Sequence, residues 1–150
     1  MKSATEYFLL LMNKLELFID GACKGNPGPG GVGVVIRQNG KTIKEISRYI
    51  GDVTNNIAEY MALIFGLQES LILRAESVKI NTDSQLLYRQ LIKTYKVKHP
   101  NIIGLYNQVI QLAGGFKEFS ISHIHREQNT EADKLATLAI KKRYPLNVNR

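Results

Sequence analysis

Residues 15–36 constrain the fold of this chain more than any other stretch, because they combine two strand patterns with one acid and a glycine-rich connection. Apolar side chains take alternate positions at its start, namely Leu15, Leu17 and Ile19. This alternation predicts a strand with one buried face, which ends at Asp20. Gly21–Gly31 predicts a turn, and a second strand begins at Val32. A carboxylate at a strand end beside a glycine-lined backbone is a typical place for metal or phosphate chemistry.

Further strand and helix patterns follow in an order that predicts an α/β fold. Asn39-Gly40 is a strong hairpin signal and joins the strand Val32–Gln38 to a strand at Lys41–Ile50. The later elements are predicted at Asn55 to about Ala75, Val78–Asn81, Ser84 to about Ile92, Ile102–Leu112, Phe116–Ile124 and Gln128 or Asn129 to about Lys142. The order β-β-β-α-β-α-α-β-α predicts one five-stranded mixed sheet, with three antiparallel strands and then two parallel ones, and helices on both faces.

Length and composition restrict the kind of protein this can be. The 150 residues fit one domain, and we expect a disordered or loosely packed leader at 1–14, a domain at 15–143 and a tail at 144–150. The net charge of +7 suggests a polyanionic partner, nucleic acid first, although a basic protein without one fits the charge about equally well. The single cysteine, Cys23, excludes an intramolecular disulfide and is typical of a reducing cytoplasm. Phe8–Met12 is too short to span a membrane.

Four acids occupy similar places at the ends of the predicted elements, and together they predict a metal site. They are Asp20 after the first strand, Glu59 in the first helix, Asp83 after the fourth strand and Asp133 in the last helix. Such positions converge beyond the carboxyl ends of parallel strands. Carboxylates suit hard divalent cations, and two such ions can activate a water and stabilise the leaving oxygen of a phosphodiester. Singly, Glu59 and Asp133 could only complement a helix dipole, and Asp83 could only cap a helix.

Four short blocks contain these acids and occur in a fixed order along the chain. They are Phe18-Ile-Asp20-Gly-Ala, Asn55-Asn-Ile-Ala-Glu59-Tyr, Thr82-Asp83-Ser-Gln85 and Arg126-Glu-Gln-Asn-Thr-Glu-Ala-Asp133-Lys-Leu-Ala. Each block is weak alone, but the set resembles the signature blocks of type 1 ribonuclease H from about Leu15 to Lys141. The resemblance implies the RNase H-like fold, a monomer, and endonucleolytic cleavage of the RNA strand of RNA–DNA hybrids to 5′-phosphate and 3′-hydroxyl ends. It also implies two Mg²⁺ or Mn²⁺ ions bound by the four acids.

The same resemblance implies where the hybrid is contacted. The matching positions are Lys24, Gly25, Asn26, Thr54, Asn55, Asn56, Ser84 and Gln85. An A-form-like hybrid presents 2′-hydroxyls in its minor groove, which short polar side chains and close backbone can read. Thr54 could instead be only a helix cap, and the Asn55-Asn56 pair could be only a helix start.

The chain departs from the bacterial pattern of this family at two places. Bacterial and eukaryotic members carry a histidine in a glycine-containing loop before the last acid, whereas this segment resembles archaeal-type members and has no glycine. The resemblance implies that Arg126 takes the auxiliary catalytic role as a fixed cation, with His125 and then His123 as alternatives. Bacterial members also insert a basic, tryptophan-bearing protrusion, which the short connector Lys93–Lys98 replaces here. We expect its lysines to contact phosphates of the DNA strand, although a solvated basic loop is nearly as well supported.

Two other classes of function compete with a ribonuclease. One is a non-catalytic hybrid-binding module, which the complete set of four acids disfavours. The other is a different nuclease of the same fold, such as a transposase, an integrase or a junction resolvase. The Asp83-Ser-Gln85 and Asn55-Asn56 blocks favour ribonuclease H over these.

Overall fold

The computed structural model describes residues 1–7 and 13–143, and in this part of the chain five strands form one mixed sheet. The strands are β1 (Lys14–Cys23), β2 (Gly28–Gln38), β3 (Lys41–Val53), β4 (Ser77–Thr82) and β5 (Glu118–His123). The helices are α1 (Asn55–Ile72), α2 (Gln85–Leu91), α3 (Pro100–Ala113) and α4 (Thr130–Arg143); α1, α2 and α4 pack on the sheet, whereas α3 packs on α1. The strand order is β3-β2-β1-β4-β5, with antiparallel pairing up to β1 and parallel pairing beyond it. The predicted sheet is confirmed.

The main core lies between α1 and one face of the sheet. The alternating β1 residues Leu17 and Ile19 are fully buried there, together with Leu63 and Leu67 of α1. Each such side chain contributes about 2 kcal/mol relative to an exposed position. The helix α4 packs on the opposite face, over β2, so helices cover both faces as predicted.

The glycine-rich segment is mostly strand, which corrects the predicted turn at Gly21–Gly31 and the predicted strand end at Asp20. β1 continues through Cys23 and pairs with a β2 that begins at Gly28, so only residues 24–27 connect the two strands. Most of the segment rich in glycine and proline is therefore paired strand rather than turn.

Two of these glycines let α4 approach the sheet closely. A Cβ atom at Gly33 would lie 2.0 Å from the backbone O of Ala132, and one at Gly31 would lie 2.3 Å from the backbone O of Ala136. Both clashes would be with helix backbone, which cannot move without moving the helix. Glycine at alternate positions of one strand face is thus required for close packing.

Other element ends differ from their predicted positions by a few residues. α3 begins at Pro100 rather than Ile102, because the Nδ1 atom of His99 accepts a hydrogen bond from the Asn101 N–H and proline is favoured at a helix start. α4 begins only at Thr130, because a 3-10 turn occupies Arg126–Gln128.

The two ends of the chain are described only in part. Residues 4–7 form one exposed helical turn, and Lys14 already belongs to β1. The remainder of the predicted leader at 8–12 and the whole predicted tail at 144–150 lie outside the described residues. Among the described helices, none has the length and apolar character needed to cross a membrane.

Candidate active site

Three of the four predicted acids meet in one cluster. One carboxylate oxygen from each of Asp20, Glu59 and Asp83 lies within 4.8 Å of the others. The cluster faces a cavity of about 500 Å³, here called the active-site cavity, which Asp133 and Arg126 also line. Strand β1, helix α1, the β4–α2 junction and helix α4 therefore each bring one acid to the same cavity.

Glu59 reaches the cluster because α1 lies unusually close to β1. A Cβ atom at Gly21 would lie 2.2 Å from the backbone carbonyl carbon of Ala58, so only glycine permits this approach. The Gly21 N–H then donates a 3.3 Å hydrogen bond to Oε2 of Glu59. Thr54 caps the helix by accepting a hydrogen bond from the Ile57 N–H.

Asp133 lies outside the three-acid cluster and lines the active-site cavity from the opposite face of the sheet. Asp20 pairs with Gly33 across the β1–β2 ladder, and Gly33 is where the start of α4 contacts the sheet. This contact brings the Asp133 carboxyl close enough to Asp20 to help raise the pKa of Asp20, after burial and the charge on Asp83. Asp133 also lies in the first turn of α4, where a negative charge interacts favourably with the helix dipole. A structural role in the helix and a role in metal binding are therefore compatible at this residue.

The clustered acids repel one another in a poorly solvated place. Burial, followed by the charge on Asp83, raises the pKa of Asp20 to about 8. Burial, followed by the charge on Asp20, raises the pKa of Glu59 well above its ordinary value. Without a cation the cluster therefore retains protons near neutral pH, and a bound divalent ion would displace them.

Without divalent ions, the folded protein is expected to lose stability as the pH rises from about 4 to about 8. Unfolded Asp20 ionises near 3.8, whereas folded Asp20 keeps its proton up to about 8. The folded state thus binds more protons in this interval, so the free energy of unfolding falls across it, by on the order of 5 kcal/mol. Urea unfolding in EDTA at about pH 5.5 and about pH 8.5 measures the effect, and a stability that is level or rises would contradict it.

The three candidate auxiliary residues lie in different environments. Arg126 is exposed and lines the active-site cavity. His123 contacts the backbone O of Asp83 through Nε2 at 3.3 Å, and its ring packs near Tyr88 with the centroids 5.8 Å apart. His125 precedes the 3-10 turn, where its N–H donates to Oε1 of Gln128. Of the three, only Arg126 lines the cavity.

The predicted substrate-contact residues divide between two neighbouring cavities. Asn55, Asn56 and Ser84 line the active-site cavity. Asn26 and Thr54 line a second cavity of about 430 Å³, which Asn55 and Asn56 share with the first. Lys24, Gly25 and Gln85 are exposed and line neither cavity.

Several of these residues also position the backbone. Oδ1 of Asn26 accepts a 2.9 Å hydrogen bond from the Asn55 N–H, so Asn26 ties the β1–β2 connection to the start of α1. The Ser84 hydroxyl accepts a hydrogen bond from the Leu87 N–H and caps α2, so Ser84, and not Asp83, is the cap. Because Ser84 caps α2, the Asp83 carboxylate is not used as the cap and can take part in the cluster.

The sequence pattern does not predict a place at the site for several residues that line or contact it. His99 and Asn101 at the start of α3 line the second cavity. Cys23 lines the active-site cavity, but its thiol donates to the Val53 carbonyl, and burial and the Glu59 charge raise its pKa, so a thiolate nucleophile is disfavoured. Asn129 is almost fully buried and donates to Asp83. The sequence predicts for Asn129 a helix start and a place in the block that begins at Arg126, but no contact with Asp83.

The donor set of the cluster fits Mg²⁺ or Mn²⁺. Its ligands are carboxylate oxygens, which hard divalent cations prefer, and neither histidine nor cysteine belongs to the cluster of described residues. Burial and then the charges of the neighbouring acids raise the pKa of Asp20 and Glu59, and the same concentration of buried carboxylates favours a cation.

Comparison with known proteins supports one family. The family model described as "Reverse transcriptase-like" matches residues 18–139. "Bifunctional protein Rv2228c" of Mycobacterium tuberculosis is 38% identical over 129 residues, which are 85% of this chain and 35% of that protein. "Ribonuclease HI" of Halobacterium salinarum is 35% identical over 128 residues, which are 85% of this chain and 64% of that protein. The chain thus spans less than two thirds of either relative.

Two solved structures match the fold over nearly their whole length. The crystal structure of RNase H1 from Halobacterium salinarum has a TM-score of 0.84 at 35% identity, covering 86% of this chain and 98% of that one. The structure of LC11-RNase H1 in complex with an RNA/DNA hybrid has a TM-score of 0.81 at 38% identity, covering 85% of this chain and 97% of that one. With four acids at one cavity and these matches, the chain belongs to the type 1 ribonuclease H family.

Proposed function

We propose that this protein is a divalent-metal-dependent endonuclease that hydrolyses the RNA strand of RNA–DNA hybrids. The observation that carries the proposal is the cluster of Asp20, Glu59 and Asp83 at the edge of an open polar cavity. The family supports the choice of substrate, since LC11-RNase H1 has been solved with an RNA/DNA hybrid. A net charge of +7 suits a polyanionic substrate.

The four acids have distinct places in this proposal. Asp20 and Asp83 are the central metal ligands, and Glu59 and Asp133 flank them. Two bound Mg²⁺ or Mn²⁺ ions would supply an activated water and stabilise the leaving 3′ oxygen, which yields 5′-phosphate and 3′-hydroxyl products. The protein holds the carboxylates together in a buried place against their mutual repulsion, and burial and then that repulsion raise the pKa of Asp20.

Arg126 supplies the auxiliary positive charge in the same site. Arginine is a fixed cation in proteins, so Arg126 acts near the scissile phosphate through its charge rather than as a general acid. His123 is a weaker candidate, since its ring contacts the Asp83 carbonyl and Tyr88. His125 ranks between the two.

The substrate track extends from the active-site cavity into the second cavity. The two cavities share Asn55 and Asn56, so one strand could contact both. Asn101 and His99 extend the polar lining beyond the predicted residues. Short amide and hydroxyl groups of this kind read 2′-hydroxyls and phosphates rather than base sequence, which fits a nuclease without strong sequence preference.

The connector Lys93–Lys98 is expected to add phosphate contacts next to this track. Lys96 and Lys98 are exposed and form no ion pair with any residue that the structure describes. Reversing both charges to Glu should weaken hybrid binding and reduce the slope of log K against log salt by roughly one to two. Fluorescence anisotropy at several salt concentrations measures this slope.

A matched double reversal separates a local contact from the effect of net charge. Lys14 and Lys41 are also exposed and form no ion pair with any described residue, but they lie at the end of the sheet opposite the cluster of Asp20, Glu59 and Asp83. Changing both to Glu should alter the slope little. Equal slopes for the wild type and the connector variant would show that the connector is only a solvated loop.

A panel of end-labelled duplexes tests the proposed function. RNA–DNA, RNA–RNA and DNA–DNA duplexes are incubated with the protein and Mg²⁺, Mn²⁺ or EDTA. Cleavage confined to RNA in the hybrid and abolished by EDTA is the expected result. Binding of the hybrid without cleavage under every condition would instead support a non-catalytic binding module.

A further inference from the structure

Asn129 is buried beside the carboxylate cluster and connects three of the elements that carry it. Its side chain is 1% exposed. Nδ2 donates hydrogen bonds to the backbone O of Ile19 at 2.8 Å and to Oδ2 of Asp83 at 3.4 Å. The backbone O of Asn129 accepts a 3.1 Å hydrogen bond from the Asp133 N–H. One residue thus contacts β1 next to Asp20, the Asp83 carboxylate and the first turn of α4.

The neighbours of Asn129 determine the orientation of its carboxamide. Both groups that face Nδ2 are acceptors, a backbone carbonyl and a carboxylate, so the flipped amide would place oxygen against oxygen. In the observed orientation Oδ1 is buried and has no hydrogen-bond partner among the described residues. A buried unpaired acceptor is unfavourable, so stability alone does not explain an asparagine here. The two hydrogen bonds that Nδ2 donates do explain it.

We propose that Asn129 is a positioning residue of the metal site. Its amide holds the Asp83 carboxylate against the β1 backbone, so that Asp83 and Asp20 face the same divalent cation. Asn129 acts through Asp83 and does not itself bind the ion. Hydrogen bonds of this kind orient ligating groups, and their loss typically lowers metal affinity 10- to 100-fold. This inference rests on the proposed function, because it requires that the cluster binds a cation.

Asn81 provides a matched control within the same sheet. It is 3% exposed, and its Nδ2 donates to the backbone O of Leu17 and to Oε2 of Glu16, both at 3.1 Å. Like Asn129, it joins a β1 carbonyl to a carboxylate, but Glu16 lies outside the acidic cluster. Asn81→Ala and Asn129→Ala therefore remove the same side chain from similarly buried places. Only Asn129→Ala removes a hydrogen bond that a predicted metal ligand, Asp83, accepts.

Calorimetric titration of the protein with Mn²⁺, without nucleic acid, tests the inference. Asn129→Ala should raise the Kd for Mn²⁺ roughly 10- to 100-fold, whereas Asn81→Ala should leave it within about twofold, although both should lower the melting temperature. A Kd for Asn129→Ala within about twofold of the wild type, or an equal loss in both variants, would overturn the role of Asn129. If the wild type binds no Mn²⁺, the metal site fails and this inference fails with it.

A second measurement uses the unmodified protein, so it does not depend on whether a variant folds. The side-chain amide NMR signals of Asn129 should shift during a Mg²⁺ titration and saturate with the ion, because the partner of Nδ2 becomes a metal ligand. The signals of Asn81 should stay in place. Asn129 signals that do not move at saturating Mg²⁺ would overturn the proposal.

Discussion

Replacing Asp20 with Asn is expected to reduce the kcat for hybrid cleavage by roughly 10³-fold or more, while the Kd for the hybrid changes by less than about threefold. Asp20 lies at the centre of the cluster, where burial and the nearby carboxylates already raise its pKa to about 8. A neutral amide of the same shape cannot hold divalent ions as a carboxylate does, whereas the hybrid is bound mainly by groups along the cavities. Single-turnover cleavage and anisotropy measure the two quantities separately.

The same variant should also be more stable than the wild type without metal at about pH 8.5, since it removes one of the repelling acids. Glu45→Gln is the control, because Glu45 is an exposed acid of β3 outside the cluster and should affect neither activity nor stability. Near-normal cleavage by Asp20→Asn would refute the metal-ligand assignment. A loss of activity accompanied by lower stability would indicate a structural role for Asp20.

Replacing Gly33 with Ala is expected to destabilise the fold by about 3 kcal/mol, a large effect for the addition of a single methyl group. The new Cβ would lie 2.0 Å from the backbone O of Ala132 and 2.7 Å from the backbone N of Ala136. α4 must then move away from the sheet, and Asp133 moves with it. Cleavage activity should therefore fall in the fraction of the protein that remains folded.

Gly104→Ala is the matched control for this change. A Cβ at Gly104 meets no described heavy atom within 4 Å, and the residue lies inside α3, so alanine should stabilise by roughly 0.5–1 kcal/mol. Thermal unfolding of both variants measures the difference. A Gly33→Ala protein within about 1 kcal/mol of the wild type would show that α4 can be displaced at little cost.

The sequence predicts the sheet and the convergence of four acids at one cavity, because both depend on local patterns and on the order of the elements. The alternation of Leu15, Leu17 and Ile19 identifies β1, and the hairpin signal at Asn39-Gly40 identifies the join between β2 and β3. Glu59, Asp83 and Asp133 lie at or near element boundaries, so the topology alone brings them to one end of the sheet.

The supporting contacts could not be predicted, because they join distant parts of the chain. Asn129 and Ile19 are 110 residues apart in the sequence, and no local sequence pattern predicts the hydrogen bond between the Asn129 amide and the Ile19 carbonyl. Because glycine is typical of turns, the sequence predicts a turn through Gly31 and a strand only from Val32, whereas Gly31 and Gly33 both lie on one face of β2. The second cavity involves His99 and Asn101, whose approach to Asn26 depends on how α3 packs.

Anomalous scattering from Mn²⁺ tests the central claim most directly. Crystals of the protein with an RNA–DNA hybrid whose scissile linkage resists hydrolysis should show two peaks roughly 3.5–4 Å apart, both at the cluster of Asp20, Glu59 and Asp83. Asp133 should lie beside one of them. A cluster without any peak, or peaks only elsewhere on the protein, would contradict the proposal that these carboxylates form the catalytic metal site.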